Sequence, residues 1–156
     1  MTPRVGIGFD IHPFSDDPRR RLVLGGVTLD GPGLSGHSDA DAVAHAVTDA
    51  LLGAAGLGDI GSHFPDTDPA YENADSMQLL ARAVAAVSGS FEIGNVDVTV
   101  VIETPKLAPF RDTMQQRLGE VVRASVNVKA KRAESLGALG RREGIACFAV
   151  ALLEPR

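Results

Sequence analysis

The feature that most constrains the fold is a regular alternation of apolar and polar residues between Asn95 and Thr104. Val96, Val98 and Val100 fall on one face of an extended strand, and the polar residues between them fall on the other. A strand with one apolar face belongs to a sheet that is covered by helices on one side only. The segment therefore predicts a layered fold rather than a helical bundle.

Three other segments carry apolar residues at helical spacing, namely residues 38–55, 75–87 and 109–124. Ser38 is a suitable N-cap for the first helix, with Asp41 three positions later as a capping-box carboxylate. Gly56 ends that helix. Further strands are expected over residues 4–9, 21–29, 126–131 and 145–153, and the second of these is broken at Gly25-Gly26. This order predicts an α+β fold, with one sheet covered on one face by helices, in a single domain spanning residues 1–156.

Composition narrows the classes of protein. The chain has 156 residues, a net charge of -5 and no obviously basic face, so duplex nucleic acid is not an expected partner. It has a single cysteine, Cys147, which excludes an intrachain disulfide and is predicted to be a small buried residue. No run of about 20 apolar residues is present, and the N-terminus lacks the apolar stretch of a signal peptide. We therefore expect a soluble, cytoplasmic protein without a membrane segment.

The strongest candidate for a metal site combines Asp10, His12 and His45. Asp10 and His12 are two residues apart, so on a strand both side chains point to the same side. His45, on the first predicted helix, is the natural third ligand, and two histidines with one carboxylate form a catalytic zinc set. The residue types alone leave the alternative open, because a D-x-H pair is common and a helical histidine is more often packed or exposed.

Two further segments suggest ligand binding. Gly36-His37-Ser38 precedes the predicted helix N-terminus, where free N–H groups favour a phosphate, although Ser38 could equally serve only as the cap. The connection 57–73 is long and rich in glycine, proline and acidic residues, which suits either a binding loop or a plain surface connection. Gly6-x-Gly8 is not a dinucleotide fingerprint, because Ile11 stands at its third glycine position and no helix follows.

Beyond residue types, a series of motifs matches a known family along almost the whole chain. These are GFDIHPF (8–14), GHSDADAVAHA (36–46), GDIGSHFPDTDP (58–69), GNVDVTVVIETPK (94–106), VNVKA (126–130) and GRREGIA (140–146). Together they resemble the 2-C-methyl-D-erythritol 2,4-cyclodiphosphate synthase family of the non-mevalonate isoprenoid pathway. The pairing of the second and third motifs is the most specific part of the resemblance.

The resemblance implies an enzyme that acts on a cytidine diphosphate ester of methylerythritol carrying a 2-phosphate. That phosphate attacks the distal phosphorus of the diphosphate, which closes a cyclic diphosphate and releases CMP. It also implies Zn²⁺, or another divalent transition metal, held by Asp10, His12 and His45, and Mg²⁺ or Mn²⁺ held by Glu134. Members of the family are homotrimers with active sites between subunits, so the nucleotide segment 102–108, with Lys106, is expected to serve a neighbour's metal site.

The resemblance further assigns residues to the site. His37 and Arg132 occupy the positions expected to act in catalysis. Substrate contacts are expected at Asp10, Ile11, His12, His37, Ser38, Asp59, Ile60, Gly61, Phe64, Pro65, Asp66, Thr67, Asp68, Ile102, Glu103, Thr104, Pro105, Lys106, Leu107, Ala108, Lys131, Arg132, Ala133, Glu134, Ala138 and Arg141. Arg141 and Glu143 correspond to residues that line a central channel of the trimer.

Two positions depart from the family pattern. Arg132 stands where the family has a phosphate-binding threonine, and we expect its guanidinium to turn toward the substrate diphosphate. Ala138 stands where the family has a phenylalanine in the channel, which puts isoprenoid binding there in question. The Arg132 change also motivates an alternative, a catalytically impaired trimer that still binds metal and nucleotide. A third reading is a phosphate-ester hydrolase that uses the same zinc.

Overall fold

The computed structural model describes every residue from Met1 to Arg156 and is built around a four-stranded mixed sheet. Its elements in chain order are β1 (Arg4–Pro13), β2 (Leu22–Leu24), β3 (Val27–Leu29), α1 (Ala42–Ala55), α2 (Ile60–His63), a 3₁₀ helix (Pro69–Tyr71), α3 (Ser76–Ser88), β4 (Phe91–Val101), α4 (Arg111–Val122), β5 (Ser125–Lys131), α5 (Gly137–Gly140) and β6 (Gly144–Pro155).

The strand order in the sheet is β1-β6-β4-β5. β6 is antiparallel to both of its neighbours, β1 and β4, whereas β4 and β5 run parallel. Parallel neighbours need a crossover connection, and α4 supplies it. The three long helices, α1, α3 and α4, pack on one face of the sheet around a core of 31 buried residues. The predicted α+β fold, with helices on one sheet face, is confirmed.

The two faces of the sheet differ in exposure. Val96, Val98 and Val100 are at most 1% exposed, as the alternation predicted, and they face the helices. The opposite face is also apolar but is open in the single chain. It carries the exposed side chains of Val5, Ile7, Phe9, Ile11, Phe148 and Val150. An exposed apolar sheet face of this kind is typical of a surface that binds another protein chain.

Two glycines of β1 bring helix α1 unusually close to the sheet. A Cβ atom at Gly8 would lie 1.9 Å from the carbonyl oxygen of Ala46, and one at Gly6 would lie 2.1 Å from that of Ala50. Only glycine permits this approach of a strand to a helix backbone. The two glycines therefore determine how closely α1 approaches the sheet. They also fix the position of His45, which directly precedes Ala46.

The predicted N-cap of the first helix was wrong by three residues. Asp41, not Ser38, is the N-cap: its carboxylate accepts the N–H of Ala44, and α1 begins at Ala42. The same fully buried carboxylate accepts the N–H groups of Gly25 and Gly26, both at 2.8 Å. Burial nevertheless raises the pKa of Asp41 to about 6. The helix N-terminus is thus occupied by an internal carboxylate and not by an open anion site.

The other predicted elements are present with shifted ends. β1 extends four residues beyond Phe9, and the connection 57–73 contains α2 and the 3₁₀ helix. The break at Gly25-Gly26 is a two-residue hairpin turn, with φ angles of 58° and 72°. Cys147 is fully buried, as predicted. None of the helices has the length and apolar character needed to cross a bilayer.

Candidate metal centre and active site

Asp10, His12 and His45 converge at one end of the helix-covered sheet face. Asp10 Oδ2 lies 2.8 Å from His12 Nε2 and 3.2 Å from His45 Nδ1, and the two imidazole nitrogens are 3.3 Å apart. β1 supplies the first two side chains on the same side of the strand, and the first turn of α1 supplies the third. The predicted trio is therefore brought together.

The tautomer of His12 follows from its second partner. Its Nδ1 lies 2.7 Å from the carbonyl oxygen of Ser35, an atom that can only accept a hydrogen bond. Nδ1 must therefore carry the proton. In the neutral ring this leaves the lone pair on Nε2, which is the nitrogen that faces Asp10 and His45.

The pKa values of Asp10 and His12 depend on two opposing effects, burial of each side chain and its interactions with neighbouring groups. Burial opposes ionisation of Asp10, but its interactions with the neighbouring His12 and His45 rings outweigh it and lower the pKa of Asp10 to about 2. Burial also opposes charge on His12, yet the hydrogen bond and negative charge of Asp10 raise the pKa of His12 above its usual value. The carboxylate is therefore ionised at neutral pH and attracts positive charge into the site.

This donor set fits a divalent metal. A carboxylate oxygen and two imidazole nitrogens, all within 4.8 Å of one another, offer three of the four ligands of a catalytic zinc-type site. Their side chains are 11–21% exposed, so the site is shielded but reachable. A fourth position would face the adjoining cavity, where a substrate oxygen can enter.

That cavity has a volume of about 500 Å³ and opens directly onto the three candidate ligands. Seven further residues assigned from the sequence line the cavity, which supports one common pocket. The residues that line it are Asp10, His12, Gly36, His37, Ser38, His45, Ile60, Gly61, Phe64, Pro65, Asp66, Tyr71 and Leu79. The connection 57–73 is thus a wall of the candidate site rather than a plain surface loop.

Several assigned residues do not line this cavity. Ile11 points to the opposite, exposed face of the sheet, as the strand alternation requires. Asp59 caps α2 by accepting the Ser62 N–H at 2.8 Å. Asp68 caps the 3₁₀ helix, and its carbonyl oxygen accepts a 2.7 Å hydrogen bond from His37 Nε2. Asp59 and Asp68 shape the loop, and the bond to His37 fixes that ring at the cavity wall.

Arg82, which was not predicted as a site residue from the sequence, packs against the loop 57–73. The Arg82 guanidinium, on α3, stacks over the rings of Phe64 and Tyr71, at 5.2 and 5.7 Å from their centroids. The two rings meet edge to face at 5.5 Å. Tyr71 and Leu79, also missed, line the cavity itself. The two aromatic residues within the loop, Phe64 and Tyr71, were the available signal, since neither ring belongs to the apolar pattern of a helix or strand.

A second cavity, of about 320 Å³, lies elsewhere on the chain and shares no lining residue with the first. It is formed by the segment after β4 and by the end of β5. The residues that line it are Ile102, Glu103, Thr104, Pro105, Lys106, Leu107, Ala108, Ala130, Lys131 and Arg132. Three cationic side chains border this cavity, and the sequence assigned the same segment to a nucleotide.

Arg132 contacts a group that the expectation for it did not include, the carboxylate of Glu103. Its Nη2 donates to the Glu103 carboxylate at 3.1 Å, and the Ala133 N–H donates to the other carboxylate oxygen at 2.7 Å. The Glu103 side chain is only 3% exposed. Burial would raise the pKa of Glu103, but the hydrogen bond from Arg132 and the Ala133 N–H lower it below its usual value. Arg132 therefore neutralises a buried carboxylate in the cavity wall.

The remaining assigned residues follow β5 on the surface. Glu134 is exposed, has a φ angle of 54° and lines neither of the two cavities. Ala138 is exposed, and Arg141 pairs with Glu143 at 2.6 Å in an exposed ion pair. The magnesium and channel assignments of these residues stay predictions.

Together, the fold and the site define an α+β protein with a two-histidine, one-carboxylate metal site at the mouth of a polar cavity. The YgbB family model matches residues 3–154, and the chain therefore belongs to the YgbB family, whose curated members include the 2-C-methyl-D-erythritol 2,4-cyclodiphosphate synthases.

Individual proteins agree with the family match. The chain is 50% identical to the 2-C-methyl-D-erythritol 2,4-cyclodiphosphate synthase of Idiomarina loihiensis, over 99% of both chains. It is 52% identical to the bifunctional enzyme IspD/IspF of an Anaeromyxobacter species, but it spans only 39% of that longer protein. The solved CDP complex of IspF from Plasmodium falciparum superposes with a TM-score of 0.86 at 34% identity, covering 99% of this chain and 97% of that one.

Proposed function

We propose that the chain is a 2-C-methyl-D-erythritol 2,4-cyclodiphosphate synthase. It converts 4-diphosphocytidyl-2-C-methyl-D-erythritol 2-phosphate to the 2,4-cyclodiphosphate and releases CMP. The observation that carries the proposal is the convergence of Asp10, His12 and His45 at the mouth of a cavity in a chain half identical to such synthases over its full length. The family model covers nearly the whole chain, which supports one catalytic domain over residues 1–156.

The reaction is an internal phosphoryl transfer. An oxygen of the 2-phosphate forms a bond to the distal phosphorus of the diphosphate, and the bond from that phosphorus to the bridging oxygen breaks, so its electron pair leaves with CMP. The attacking phosphate is already anionic, so no side chain has to act as a strong general base. Positioning and charge neutralisation supply the catalysis.

A divalent metal such as Zn²⁺, held by Asp10, His12 and His45, would supply Lewis-acid polarisation of a phosphoryl oxygen. Around it, the chain binds and orients the substrate. The hydroxyl of Ser38 and the ring of His37 border the cavity and suit contacts to phosphate oxygens. Because His37 Nε2 is bonded to the Asp68 carbonyl, Nδ1 is the atom of that ring left for a ligand.

The loop side of the first cavity suits the methylerythritol part. Ile60 and Gly61 offer backbone and apolar contacts, and Asp66 offers a carboxylate for hydroxyl groups. Asp59 and Asp68 act through the loop that they help to fold, and Thr67 is an exposed residue between Asp66 and Asp68. In this role the loop excludes water on one side of the reacting phosphates.

The second cavity suits the cytidine diphosphate part. Lys106, Lys131 and Arg132 bring positive charge to a chain of net charge -5, and the proline and aliphatic residues at 105–108 give an apolar surface for a base. A related structure from Plasmodium falciparum is a complex with CDP. The two cavities share no lining residue, and in the proposed assembly one substrate spans the first cavity of one subunit and the second cavity of its neighbour.

Assembly as a homotrimer is supported by the open face of the sheet. Six apolar side chains on β1 and β6 are 42–69% exposed there, and Phe9 packs against Phe148 at 5.0 Å. A contiguous apolar surface of this kind marks a protein interface. In the trimer, segment 102–108 of one subunit would complete the metal cavity of the next. The channel roles of Arg141 and Ala138 belong to the same proposal.

A second ion, Mg²⁺ or Mn²⁺, would neutralise the diphosphate and be held by Glu134. The support is chemical: an exposed carboxylate follows Lys131 and Arg132, which border the nucleotide cavity, and Mg²⁺ is usually bound by one or two carboxylates together with substrate phosphates. No feature of the chain favours the catalytically impaired alternative. Arg132 is engaged by Glu103, and neither the metal ligands nor the cavities are obstructed.

The metal-site experiment uses His45→Ala with a matched control. Wild-type protein should carry about one zinc per chain and yield cyclic diphosphate and CMP in equal amounts by phosphorus NMR. His45→Ala should lose both metal and product, whereas Thr48→Val, one turn along α1, should keep both. A His45→Ala protein with full turnover would refute the proposal, and CMP release without cyclic product would indicate a hydrolase.

The assembly experiment uses light scattering. Wild-type protein should have about three times the chain mass of 16.3 kDa. Ile7→Glu and Phe148→Glu place a charge on the open sheet face and should give metal-binding monomers without synthase activity. Ala85→Glu, on the exposed side of α3, should leave the trimer intact. An active monomeric wild type would overturn the trimer.

A further inference from the structure

His45 is held from behind by a buried chain of hydrogen bonds that the proposed reaction does not use. Its Nε2 lies 2.7 Å from Ser76 Oγ and 3.1 Å from Ser38 Oγ. Ser76 is fully buried at the first residue of α3, and its hydroxyl in turn bonds the carboxylate of Asp39. This series of hydrogen bonds from His45 through Ser76 to Asp39, the relay, links α3 to α1 behind the candidate metal ligands.

The direction of these bonds follows from counting protons. Asp39 accepts the N–H of Ser76 at one oxygen, and the N–H of Asp41 and the Ser76 hydroxyl at the other. A carboxylate in that position is a pure acceptor, so the single hydroxyl proton of Ser76 points to Asp39. Ser76 Oγ must then accept from His45 Nε2. Nε2 is thereby the protonated nitrogen, and the lone pair of neutral His45 lies on Nδ1.

We infer that Asp39 and Ser76 are positioning residues that fix the tautomer and ring plane of His45 so that its Nδ1 is presented as a metal ligand. Nδ1 is the nitrogen that lies 3.2 Å from Asp10 Oδ2 and 3.3 Å from His12 Nε2. Partners that hold a ligating histidine in this way strengthen metal binding by fixing the ring in the geometry of the complex. The inference depends on metal binding at this trio but not on the identity of the substrate.

The relay also leaves Ser38 less engaged by the His45 ring, although Ser38 Oγ lies 3.3 Å from Ser76 Oγ as well. Ser38 Oγ accepts the N–H of Ala40 at 3.2 Å, and Ser76 is the shorter partner of His45. Ser38 therefore need not give its own hydroxyl proton to the histidine. It borders the cavity, and Ser76 does not. The two serines thus have different roles, because Ser76 orients the metal ligand His45 and Ser38 borders the cavity.

The test measures the tautomer and the metal separately from activity. In metal-free protein, long-range proton–nitrogen NMR of the imidazole rings should show His45 protonated at Nε2. Ser76→Ala should convert it to a mixture of tautomers. Competition with a chromophoric chelator should then show zinc affinity reduced roughly 10- to 100-fold in Ser76→Ala and in Asp39→Asn. The visible spectrum of the Co²⁺-loaded variants should shift as the ligand ring moves.

Thr48→Val is the control, since it removes a fully buried α1 hydroxyl that bonds Ala44 and not His45. Its zinc affinity and Co²⁺ spectrum should match those of wild type. Thermal unfolding of each metal-free variant separates loss of fold from loss of ligand orientation. Unchanged tautomer and affinity in folded Ser76→Ala would overturn the relay and leave the synthase proposal standing. Wild-type protein that binds neither Zn²⁺ nor Co²⁺ would overturn the relay and the synthase proposal together.

Discussion

The Arg132 guanidinium and the Glu103 carboxylate form an ion pair, 3.1 Å between Nη2 and Oε2, in the wall of the second cavity. Arg132 is 63% exposed while Glu103 is 3% exposed, so the pair lies at the boundary between solvent and interior. The sequence suggested that Arg132 would grip phosphate directly. The contact makes Arg132 a neutraliser of a carboxylate that would otherwise repel a diphosphate, and the direct phosphate contact stays a prediction.

Arg132→Ala should therefore weaken binding of CDP and raise KM several-fold, because it leaves Glu103 charged and unpaired beside the ligand. The double variant Arg132→Ala/Glu103→Gln should recover much of that affinity. Isothermal titration measures the affinity of the single variant and of the double variant for CDP. Equal weakening in the single and double variants would show that Arg132 contacts the ligand itself, as first expected. Unchanged affinity in Arg132→Ala would show that neither role is important.

The same pair predicts a pH dependence of stability. The pKa of Glu103 is depressed in the folded protein, so the pair contributes stability above the usual glutamate range, and that contribution is lost as the pH falls through the depressed value. Thermal midpoints of wild type and Arg132→Ala should differ at pH 7 and converge under acid conditions in which Glu103 is protonated. A constant difference at every pH would exclude an electrostatic origin.

Gly8→Ala should damage both the fold and the metal site. The added Cβ would lie 1.9 Å from the Ala46 carbonyl, so α1 must move away from β1 and carry His45 with it. Overpacking of this kind costs about 1–3 kcal/mol or more, and zinc affinity should fall as well. Gly53→Ala, at an exposed position of α1 with no atom nearer than 4.0 Å, should instead stabilise by roughly 0.5–1 kcal/mol. Chemical denaturation and metal titration measure these effects.

Arg82→Ala should loosen the loop wall of the first cavity. Two cation–π contacts, with Phe64 and Tyr71, are removed, each worth about 0.5–1 kcal/mol at an exposed site. We expect KM to rise several-fold while kcat changes little, because the metal ligands are untouched. Arg111→Ala, at an exposed position on α4 that lines neither cavity, is the control. A fall in kcat without a change in KM would contradict a purely positioning role.

Cys147 should be unreactive in the native protein. Burial raises the pKa of its thiol well above the usual value, and the nearby charges of Asp41 and Asp10 raise it further. The thiolate is therefore scarce at pH 8, and the buried sulfur is not reached by reagents. Iodoacetamide should modify the thiol only after denaturation, as mass spectrometry would show. Rapid modification of folded protein would mean that the centre of the sheet opens readily.

Much of the fold could be predicted because it depends on local periodicity. The alternation of Val96, Val98 and Val100 identified a half-buried strand, and the buried face is the one it indicated. The spacing of Asp10 and His12 on one strand placed both on one side, and the motifs identified the third ligand. These features need no knowledge of distant residues, since side-chain direction follows from the backbone repeat.

What the sequence determined by itself was therefore the long helices and the strands, their apolar faces, the metal trio and the family, whereas α2, α5 and the 3₁₀ helix were not predicted. Tertiary structure alone decided the start of α1, because Asp41 is held by Gly25 and Gly26 on a separate hairpin. It also decided which nitrogen of His45 faces the site, through Ser76, and which group Arg132 neutralises. Each of these outcomes is a hydrogen bond between residues 15 to 31 positions apart in the chain. A polar side chain has many acceptors of similar strength within reach, and only the packed fold determines which of them lies at bonding distance.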